Sequence, residues 1–210
     1  LRVLDIGAGI GGPARYFAEA HGCVVQGIDL SDEYVQVASA LTRRCGLEGK
    51  ASFTRASALA IPFADRSFDR ATMIHVGMNI ADKAKAFADV RRVLKPGGLF
   101  GVYDVMLAGD GEVAYPMPWA MSAAASFLET PAAYRALLTA AGFAIEQERD
   151  WRDTALQLGR KMRERTAQQG APPLGLHILM GVSTPQRIAN VVSALERGVI
   201  APIEISARAI

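Results

Sequence analysis

The sequence predicts an α/β protein with a doubly wound, mainly parallel seven-stranded sheet, an antiparallel last strand and a helical lid insertion. Three observations lead to this prediction. Through the first 104 residues, short apolar runs alternate with helical patterns, and this alternation implies parallel crossover units. A glycine-rich turn follows the first apolar run. Near the C-terminus, residues 203–209 alternate apolar and polar side chains, which predicts an antiparallel strand at the edge of the sheet.

The first five strands and their helices follow from apolar runs and from residues that begin or end helices. Gly22 ends the first helix, Ser31 provides an N-cap for the second, and Gly46 follows its C-terminus. The third helix carries its charged residues, Lys83 among them, largely away from the core. Lys95-Pro-Gly-Gly98 predicts a turn before the fifth strand. The predicted strands are Val3–Ile6, Cys23–Ile28, Ala51–Thr54, Ala71–Val76 and Leu99–Tyr103.

The second half of the chain is less regular. Residues 105–129 lack a clear period and predict a loop or lid, before a helix over 130–141 and a strand over 144–151. The next helix has an apolar stripe and is broken at Ala171-Pro-Pro173, and a last helix begins at Thr184. The stripe comprises Trp151, Ala155, Leu158 and Met162. We expect one domain over 1–210, with a cofactor half (1–104) and a substrate half (105–210) that contains an insertion over about 153–198.

Composition narrows the function classes. The chain has 210 residues, is 50% hydrophobic and has a formal net charge of +2, so it lacks the basic footprint of a nucleic-acid-binding protein. No run approaches the roughly 20 apolar residues of a membrane span. Cys23 and Cys45 are not closely spaced and predict reduced thiols, hence a cytoplasmic location. The scattered histidines argue against a metal site. Because Leu1 lies directly on a strand, we expect residues upstream of it.

The first twelve residues predict a strand, a turn and a helix that hold a polar cofactor at the helix N-terminus. Gly7, Gly9 and Gly12 have the spacing of a dinucleotide-binding turn, and Asp29 lies at about the distance that suits a ribose. Two interpretations remain open at this point: a nicotinamide or flavin site, and a site for S-adenosylmethionine. Asp5, two residues before the first glycine, favours the second, because a carboxylate there can face the ammonium of an amino-acid-bearing cofactor.

Four motifs occur in order along the first 104 residues. They are Val3-Leu-Asp5-Ile-Gly7-Ala-Gly9-Ile-Gly-Gly12, Gly27-Ile-Asp29-Leu-Ser31, Ile61-Pro-Phe63-Ala-Asp-Arg-Ser-Phe68-Asp69 and Arg92-Val-Leu-Lys-Pro-Gly-Gly98. Together they resemble the class I S-adenosylmethionine-dependent methyltransferases, whose fold is Rossmann-like. The similarity is greatest to the small-molecule branch that contains the ubiquinone/menaquinone, sarcosine and tocopherol methyltransferases. It says almost nothing about the substrate.

The resemblance implies a set of cofactor-binding residues. Asp29 would bind both ribose hydroxyls, and Leu30 would pack on the adenine. Ser57 occupies the position at which the family often has an aspartate facing the adenine amino group. The methionine and ribose end would be lined by Asp5, Gly7, Ala8, Gly9 and Gly12, and the adenine edge by Ala58 and Leu59. The helix that covers the methionine moiety in the family has no counterpart in this sequence.

His75 is the candidate catalytic residue, since it ends the fourth strand, where carboxyl ends of strands face the ligand. It would contact the cofactor or act as a general base; packing beneath the cofactor is the alternative. Asp104 would bind a substrate amine or hydroxyl, or cap the next turn. Trp119 would form a substrate wall, or anchor the lid. The candidate substrate-binding residues are Met78, Asn79, Tyr103, Asp104, Trp119 and His177.

The predicted activity is transfer of a methyl group from S-adenosyl-L-methionine to an O, N or C atom of a small molecule, giving S-adenosyl-L-homocysteine. Most of the catalysis would come from alignment of the reactants in a dry pocket. Two other classes stay open: an oxidoreductase dependent on NAD(P) or FAD, and a non-catalytic S-adenosylmethionine-binding module. As partners we expect a small-molecule substrate and a second copy in a homodimer, with no nucleic acid and no membrane.

Overall fold

A computed structural model describes residues 1–170 and 172–210 and contains one seven-stranded sheet. The strand order is β3-β2-β1-β4-β5-β7-β6. The strands are β1 (Arg2–Ile6), β2 (Val24–Asp29), β3 (Ala51–Arg55), β4 (Phe68–Ile74), β5 (Leu94–Leu107), β6 (Phe143–Asp150) and β7 (Ile200–Ala209). The helices are α1 (Gly12–His21), α2 (Asp32–Arg44), α3 (Lys83–Val93), α4 (Pro131–Ala140), α5 (Arg152–Gln169), α6 (Leu176–Met180) and α7 (Thr184–Glu196). The predicted doubly wound fold is confirmed.

Strand β1 lies in the middle of the parallel part of the sheet, between β2 and β4. This places the glycine turn after β1 beside the ends of both neighbours. Strand β7 runs antiparallel to β5 and β6, as predicted. The prediction that it forms the edge of the sheet is wrong, because β7 pairs on both sides and β6 is the edge. The alternation of residues 203–209 indicates that one face of β7 is less buried than the other. Both inner strands and edge strands can have such a face.

The predicted turn at Lys95-Pro-Gly-Gly98 is a bulge inside strand β5. Phe68 of β4 pairs with Leu94, whereas Arg70 pairs with Leu99, so the intervening residues of β5 loop out of the register. Gly97 has a φ of +73° in this bulge. Beyond it, β5 continues to Leu107, so the first three residues of the predicted lid belong to the sheet.

Two apolar clusters explain how the lid is held. The main cluster packs strand residues such as Leu4, Met73 and Phe100 against Phe87 of α3 and Tyr134 of α4. The second lies beneath the lid and joins β5, the lid and α7; its buried members are Met78, Val105, Met117, Ala194, Leu195, Val199 and Ile200. The lid therefore has a core of its own.

Helix α5 buries only part of its predicted apolar stripe. Ala155 packs against the second cluster, but the side chains of Leu158 and Met162 are 55% and 68% exposed. The helix ends at Gln169; of the predicted break, Ala171 lies outside the described residues. The short helix α6 was not predicted. Among the described residues, none of the helices combines the length and apolar character required to traverse a bilayer.

Candidate functional site

A crevice of about 500 Å³ lies where the loops after β1, β2, β3 and β4 meet at the carboxyl edge of the sheet. Residues from five separate segments line it. They are Gly7, Gly9, Ile28, Asp29, Leu30, Tyr34, Ala56, Ser57, Ala58, Leu59, His75, Val76, Asn79, Ile80, Ala81, Asp82 and Phe127. Most of the predicted cofactor-binding residues therefore come together at one place.

The turn after β1 needs glycine at Gly7 for two reasons. Its φ of +67° lies in the left-handed region, and a Cβ there would come within 2.3 Å of Val76 Cγ2. Ala8 is buried, and its N–H donates to the Ile28 carbonyl oxygen at 2.9 Å, which ties the turn to β2. Ala8 and Gly12 do not line the crevice; Gly12 begins α1.

Asp29 is the carboxylate at the crevice wall. Its Oδ2 accepts the Gly9 N–H at 2.9 Å, and its Oδ1 accepts the Ser31 N–H at the same distance. Ser31 also caps α2, since its Oγ accepts the Tyr34 N–H at 3.1 Å. Each carboxylate oxygen has a further lone pair for a ligand, and the backbone bonds fix its direction.

Asp5 lies behind the turn and is 2% exposed. Its Oδ1 accepts the Thr72 hydroxyl at 3.0 Å, but its buried Oδ2 has no hydrogen-bond partner among the described residues. Burial raises the pKa of Asp5 to about 6; the Thr72 bond opposes this change and the negative charge of Asp29 adds to it. An unpaired buried carboxylate oxygen is costly, so this group fits the amine of a bound ligand or an intervening donor.

Part of the crevice lining is apolar and suits an apolar ring. Leu30 is 69% exposed beside Ala58 and Leu59, so a ligand would cover apolar surface that now faces solvent. Ser57 Oγ accepts the Leu59 N–H at 3.1 Å, which shapes this wall.

His75 joins the crevice to the neighbouring strand. Its φ is +57°, its N–H donates to the Tyr103 carbonyl oxygen at 2.8 Å, and its ring packs edge-on against the Tyr103 ring at a centroid distance of 4.9 Å. The surrounding protein removes solvent and so lowers the pKa of His75 below its ordinary value. A neutral imidazole at pH 7 can accept a proton.

The predicted substrate residues fall in different places. Asn79 lines the crevice, and its Nδ2 donates to the Trp119 carbonyl oxygen at 2.9 Å. Trp119 Nε1 donates to Ser126 Oγ within the lid. Met78 is buried in the second apolar cluster, and His177 is exposed on α6; neither lines the crevice. Tyr103 lines a second cavity.

Asp104 is completely buried behind the crevice wall. Its Oδ2 accepts the Tyr134 hydroxyl at 2.7 Å, while Oδ1 has no hydrogen-bond partner among the described side chains and backbone groups. Burial raises the pKa of Asp104 to about 7. The hydrogen bond from Tyr134 and the positive charge of Lys83 act in the opposite direction and lower this pKa. Gly77 lies directly over this pair: a Cβ there would come within 2.3 Å of Asp104 Oδ2.

Sequence reasoning missed Lys83 and Phe127. Lys83 was predicted on the outer face of α3 but is 3% exposed, because its Nζ donates to the carbonyl oxygens of Ile80 and Phe127. It thereby holds the lid residue Phe127 at the crevice wall. Lys83 is the first residue of α3 and lies three and four residues before the buried Ala86 and Phe87, so the helical period places it on the inner face. The prediction followed its charge instead, and sequence alone did not show which carbonyl groups the ammonium would bind.

Residues 4–102, which contain nearly all of this crevice, match the family model described as a methyltransferase domain. This match confirms the resemblance that the four motifs predicted: residues 4–102 are similar to methyltransferase domains, and the predicted cofactor S-adenosylmethionine agrees with that similarity.

The curated relatives are methyltransferases by name. The chain is 37% identical over 108 residues to methyltransferase GfsG of Streptomyces halstedii, covering 51% of this chain and 39% of that protein. It is 36% identical over 107 residues to sterol 24-C-methyltransferase ERG6B of Gibberella zeae, covering 51% and 28%. The chain thus spans well under half the length of these relatives.

Solved structures share the fold over the whole chain. The [4+2]-cyclase SpnF has a TM-score of 0.78 at 24% identity, covering 100% of this chain and 75% of that one. Geranyl diphosphate C-methyltransferase from Streptomyces coelicolor, solved with S-adenosyl-L-homocysteine, has a TM-score of 0.79 at 16% identity, covering 100% and 71%. At these identities the likeness establishes the fold.

Proposed function

We propose that this chain binds S-adenosylmethionine in the crevice and transfers its methyl group to a small-molecule acceptor. The observation that carries the proposal is the pair of carboxylates at the glycine turn. Asp29 is aimed by two backbone N–H groups, and Asp5 has a buried oxygen without a partner. When bound, the cofactor supplies an electrophilic methyl group on sulfur and leaves as the thioether product.

Each predicted cofactor residue has a part in this proposal. Asp29 accepts the ribose hydroxyls, and Leu30 covers one face of the adenine. Ser57 accepts the adenine amine. Asp5 faces the methionine amine, directly or through a water molecule. The remaining contacts are backbone or apolar, from Gly7, Gly9, Ala58 and Leu59. Ala8 and Gly12 do not line the crevice and act by shaping the turn: Ala8 ties it to β2, and Gly12 begins α1. The buried carboxylate of Asp5 behind the turn disfavours the pyrophosphate of a dinucleotide, because like charges repel.

His75 is proposed as the residue that contacts the cofactor and, where the acceptor atom is an oxygen or nitrogen, takes its proton. Its position in the crevice and its lowered pKa support this role. A carbon acceptor activated by its own double bond needs the proton removed only after the methyl group has been received. Among the predicted substrate residues, Asn79 lines the same crevice as His75, and Tyr103 is in ring contact with it. Acceptor contact by Met78, Asp104, Trp119 and His177 stays a prediction.

The wider proposals follow from the relatives and from composition. Relatives named for sterols and geranyl diphosphate support a small-molecule acceptor. The division into a cofactor half (1–104) and a substrate half (105–210, with its insertion at 153–198), the cytoplasmic location and the homodimer are likewise proposals. The cyclase among the structural neighbours makes product detection essential, because a protein with this fold can serve another reaction.

Ligand-induced thermal stabilisation tests the cofactor. Saturating S-adenosylhomocysteine should raise the melting temperature, whereas NADH, NADPH and FAD should not, since only a ligand of the native state stabilises it. Formation of S-adenosylhomocysteine from S-adenosylmethionine, with an acceptor present, then separates an enzyme from a non-catalytic binding module. Stabilisation by a nicotinamide or flavin alone would contradict the proposal.

The substitution Asp29→Ala tests the ribose contact. It should weaken S-adenosylhomocysteine binding by at least about 2 kcal/mol, roughly 30-fold, because charge-assisted hydrogen bonds are lost. Titration calorimetry measures this change. Asp32→Ala is the matched control, since Asp32 is an exposed acid at the start of α2. An unchanged dissociation constant in Asp29→Ala, with a melting temperature near that of the wild type, would refute the assignment.

A further inference from the structure

The segment 160–182, which we call the arm, extends beyond the packed part of the domain; the structure describes all of it except residue 171. Helix α5 packs against the second apolar cluster near its start, through Ala155 and Leu156. Further along, every described residue over 160–170 and 172–179 is exposed. Helix α5 therefore leaves the domain about halfway along its length, and the chain returns to it only in α7, where Ala194 and Leu195 are buried.

The end of the arm exposes large apolar side chains in close succession. Soluble domains rarely leave such a concentration of apolar residues uncovered unless it binds a partner or a membrane. Five of these residues lie within one stretch of nine, and each is at least 51% exposed: Leu174, Leu176, Ile178, Leu179 and Val182.

The apolar side chains of α6 point to more than one side. This helix has only five residues, and Leu176 and Ile178 lie about 200° apart around its axis. A flat protein surface could cover one side of such a turn and would leave the other in water. The interface of a lipid bilayer can surround the whole turn.

The helical part of the arm is basic. Four basic residues and one acidic residue give the arm a formal charge of +3, although the whole chain has only +2. No carboxylate side chain occurs between Glu164 and Glu196. The ion pairs among the described residues include none of the four basic side chains, so their charges are available to an anionic partner. The basic residues are Arg160, Lys161, Arg163 and Arg165.

We propose that the arm binds the surface of a lipid bilayer that contains anionic lipids. The apolar side chains at its end enter the interfacial region, and the four basic side chains lie against the lipid phosphates. Burial of apolar surface and attraction to anionic lipids are the two contributions that hold a peripheral segment on a membrane. This inference is independent of the proposed function.

Two other partners fit these observations less well. Two arms packed against each other in a dimer would bring like charges together. A nucleic acid would neutralise the basic side chains but would leave the apolar side chains of α6 in water. We expected no membrane partner because the sequence has no apolar run long enough to span a bilayer, but a segment that lies on the surface does not need such a run.

Co-sedimentation of the chain with vesicles tests the proposal. Vesicles of phosphatidylcholine and phosphatidylglycerol in equal parts should bind the chain at least tenfold more strongly than vesicles of phosphatidylcholine alone, because each basic residue near an anionic surface strengthens binding about fivefold. Raising NaCl from about 0.1 M to about 1 M should remove most of this difference, since it shortens the Debye length about threefold. Equal binding to both kinds of vesicle, or binding to neither, would overturn the proposal.

The double substitution Arg160→Gln with Lys161→Gln tests the contribution of charge. It should weaken binding to the anionic vesicles at least tenfold. Arg43→Gln with Arg44→Gln is the matched control, because these residues are an exposed basic pair at the end of α2; it should change binding less than twofold. An equal loss in the two double variants would show that net charge and not the arm attracts the lipid, and would refute the assignment.

Leu179→Ser tests the contribution of apolar burial. It should weaken vesicle binding at least fivefold, whereas Val37→Ser, which alters an exposed valine of α2, should not. Undiminished vesicle binding in Leu179→Ser would contradict the proposal. Two further results would also overturn it: a dimer in sedimentation velocity that Leu179→Ser dissociates while vesicles do not bind, and a short DNA duplex that binds more tightly than the anionic vesicles.

Cofactor binding and thermal melting are measured in the same samples. None of the described residues of the arm lines the crevice, so each variant should bind S-adenosylhomocysteine within twofold of the wild type and melt within about 2 °C of it. Failure of the wild type to bind S-adenosylhomocysteine would defeat the proposed function and leave the vesicle result in force. Cofactor binding without vesicle binding would defeat only the present inference.

Discussion

Asp5 and Asp104 are both buried, but they differ in the hydrogen-bond partners of their carboxylate oxygens. Asp5 has an unpartnered oxygen behind the glycine turn, whereas Asp104 is bonded to Tyr134 behind the crevice wall. Burial raises the pKa of both. The first has a role once a ligand supplies a donor. Asp104 lies beneath Gly77, which is in the loop that carries His75 and Asn79. It therefore affects the crevice by positioning this loop.

Asp104 should make the stability of the protein fall as the pH rises. A carboxyl group whose pKa rises from its ordinary 3.8 to about 7 on folding binds its proton more tightly in the native state. Its contribution to stability is therefore complete below pH 4 and is lost as the pH rises through 7. The loss attributable to this group is on the order of 4 kcal/mol. Urea unfolding at several pH values should show a flatter profile in Asp104→Asn.

Charged and titratable groups around Asp104 also influence how the stability of the wild type and of Asp104→Asn depends on pH. Lys83 from α3 and Tyr134 from α4 face Asp104, and Glu129 acts on Lys83. Tyr134→Phe serves as the control, because it removes the hydrogen bond but leaves the titrating carboxyl. It should keep the slope between pH 4 and 7. An equally steep profile in Asp104→Asn would show that other groups cause the pH dependence.

We expect the replacement of Ser57 by aspartate to increase the affinity for S-adenosylhomocysteine. A carboxylate accepts a stronger hydrogen bond from an amine than a hydroxyl does, by about 1 kcal/mol, and an aspartate can also accept the Leu59 N–H that Ser57 now accepts. Ser57→Asp should therefore bind S-adenosylhomocysteine about fivefold more tightly by calorimetry. Ala60→Asp places the same charge nearby but outside the crevice lining; an equal gain there would mean that the effect is not the proposed contact.

At the scale of elements, the bulge of β5 depends on glycine. Gly97 has a φ of +73°, and a side chain in the left-handed region costs about 1 to 2 kcal/mol. Gly97→Ala should lower the free energy of unfolding by that amount in denaturant titrations. Gly101→Ala, in the same strand, meets no atom within 4 Å and should change stability by less than about 0.5 kcal/mol. Equal losses in the two variants would contradict the strain argument.

The elements also show where local patterns mislead. The alternation of β7 correctly indicated an antiparallel strand with one less buried face, but the number of strands beside it is set by β5 and β6, which lie far away in the sequence. Likewise, the apolar stripe of α5 correctly predicted a helix. It did not show that Leu158 and Met162 would face a groove and solvent instead of a core.

For the whole molecule, we expect two levels of local stability. The sheet is flanked by the main apolar cluster, whereas α5 and α6 contain no buried residue among those described. Because local opening requires little loss of buried contacts in these helices, their amides should exchange at least about 100-fold faster than those of β4 and β7. Hydrogen exchange measured by NMR checks this order. Equal protection of α5 and β4 would mean that the helices unfold only with the whole domain.

The sequence alone determined the fold class, the glycine turn, the acid at the end of β2 and the resemblance of residues 4–102 to methyltransferase domains. These features are carried by neighbouring residues, whose periodicity and backbone requirements can be recognised without knowing what packs against them. The tertiary structure decided the rest: the contact of Lys83 with the lid, the pairing of Asp104 with Tyr134, the inner position of β7 and the exposure of Leu158 on α5. Each of these depends on contacts between segments distant in the chain, such as Lys83 with Phe127, and no local pattern contains that information.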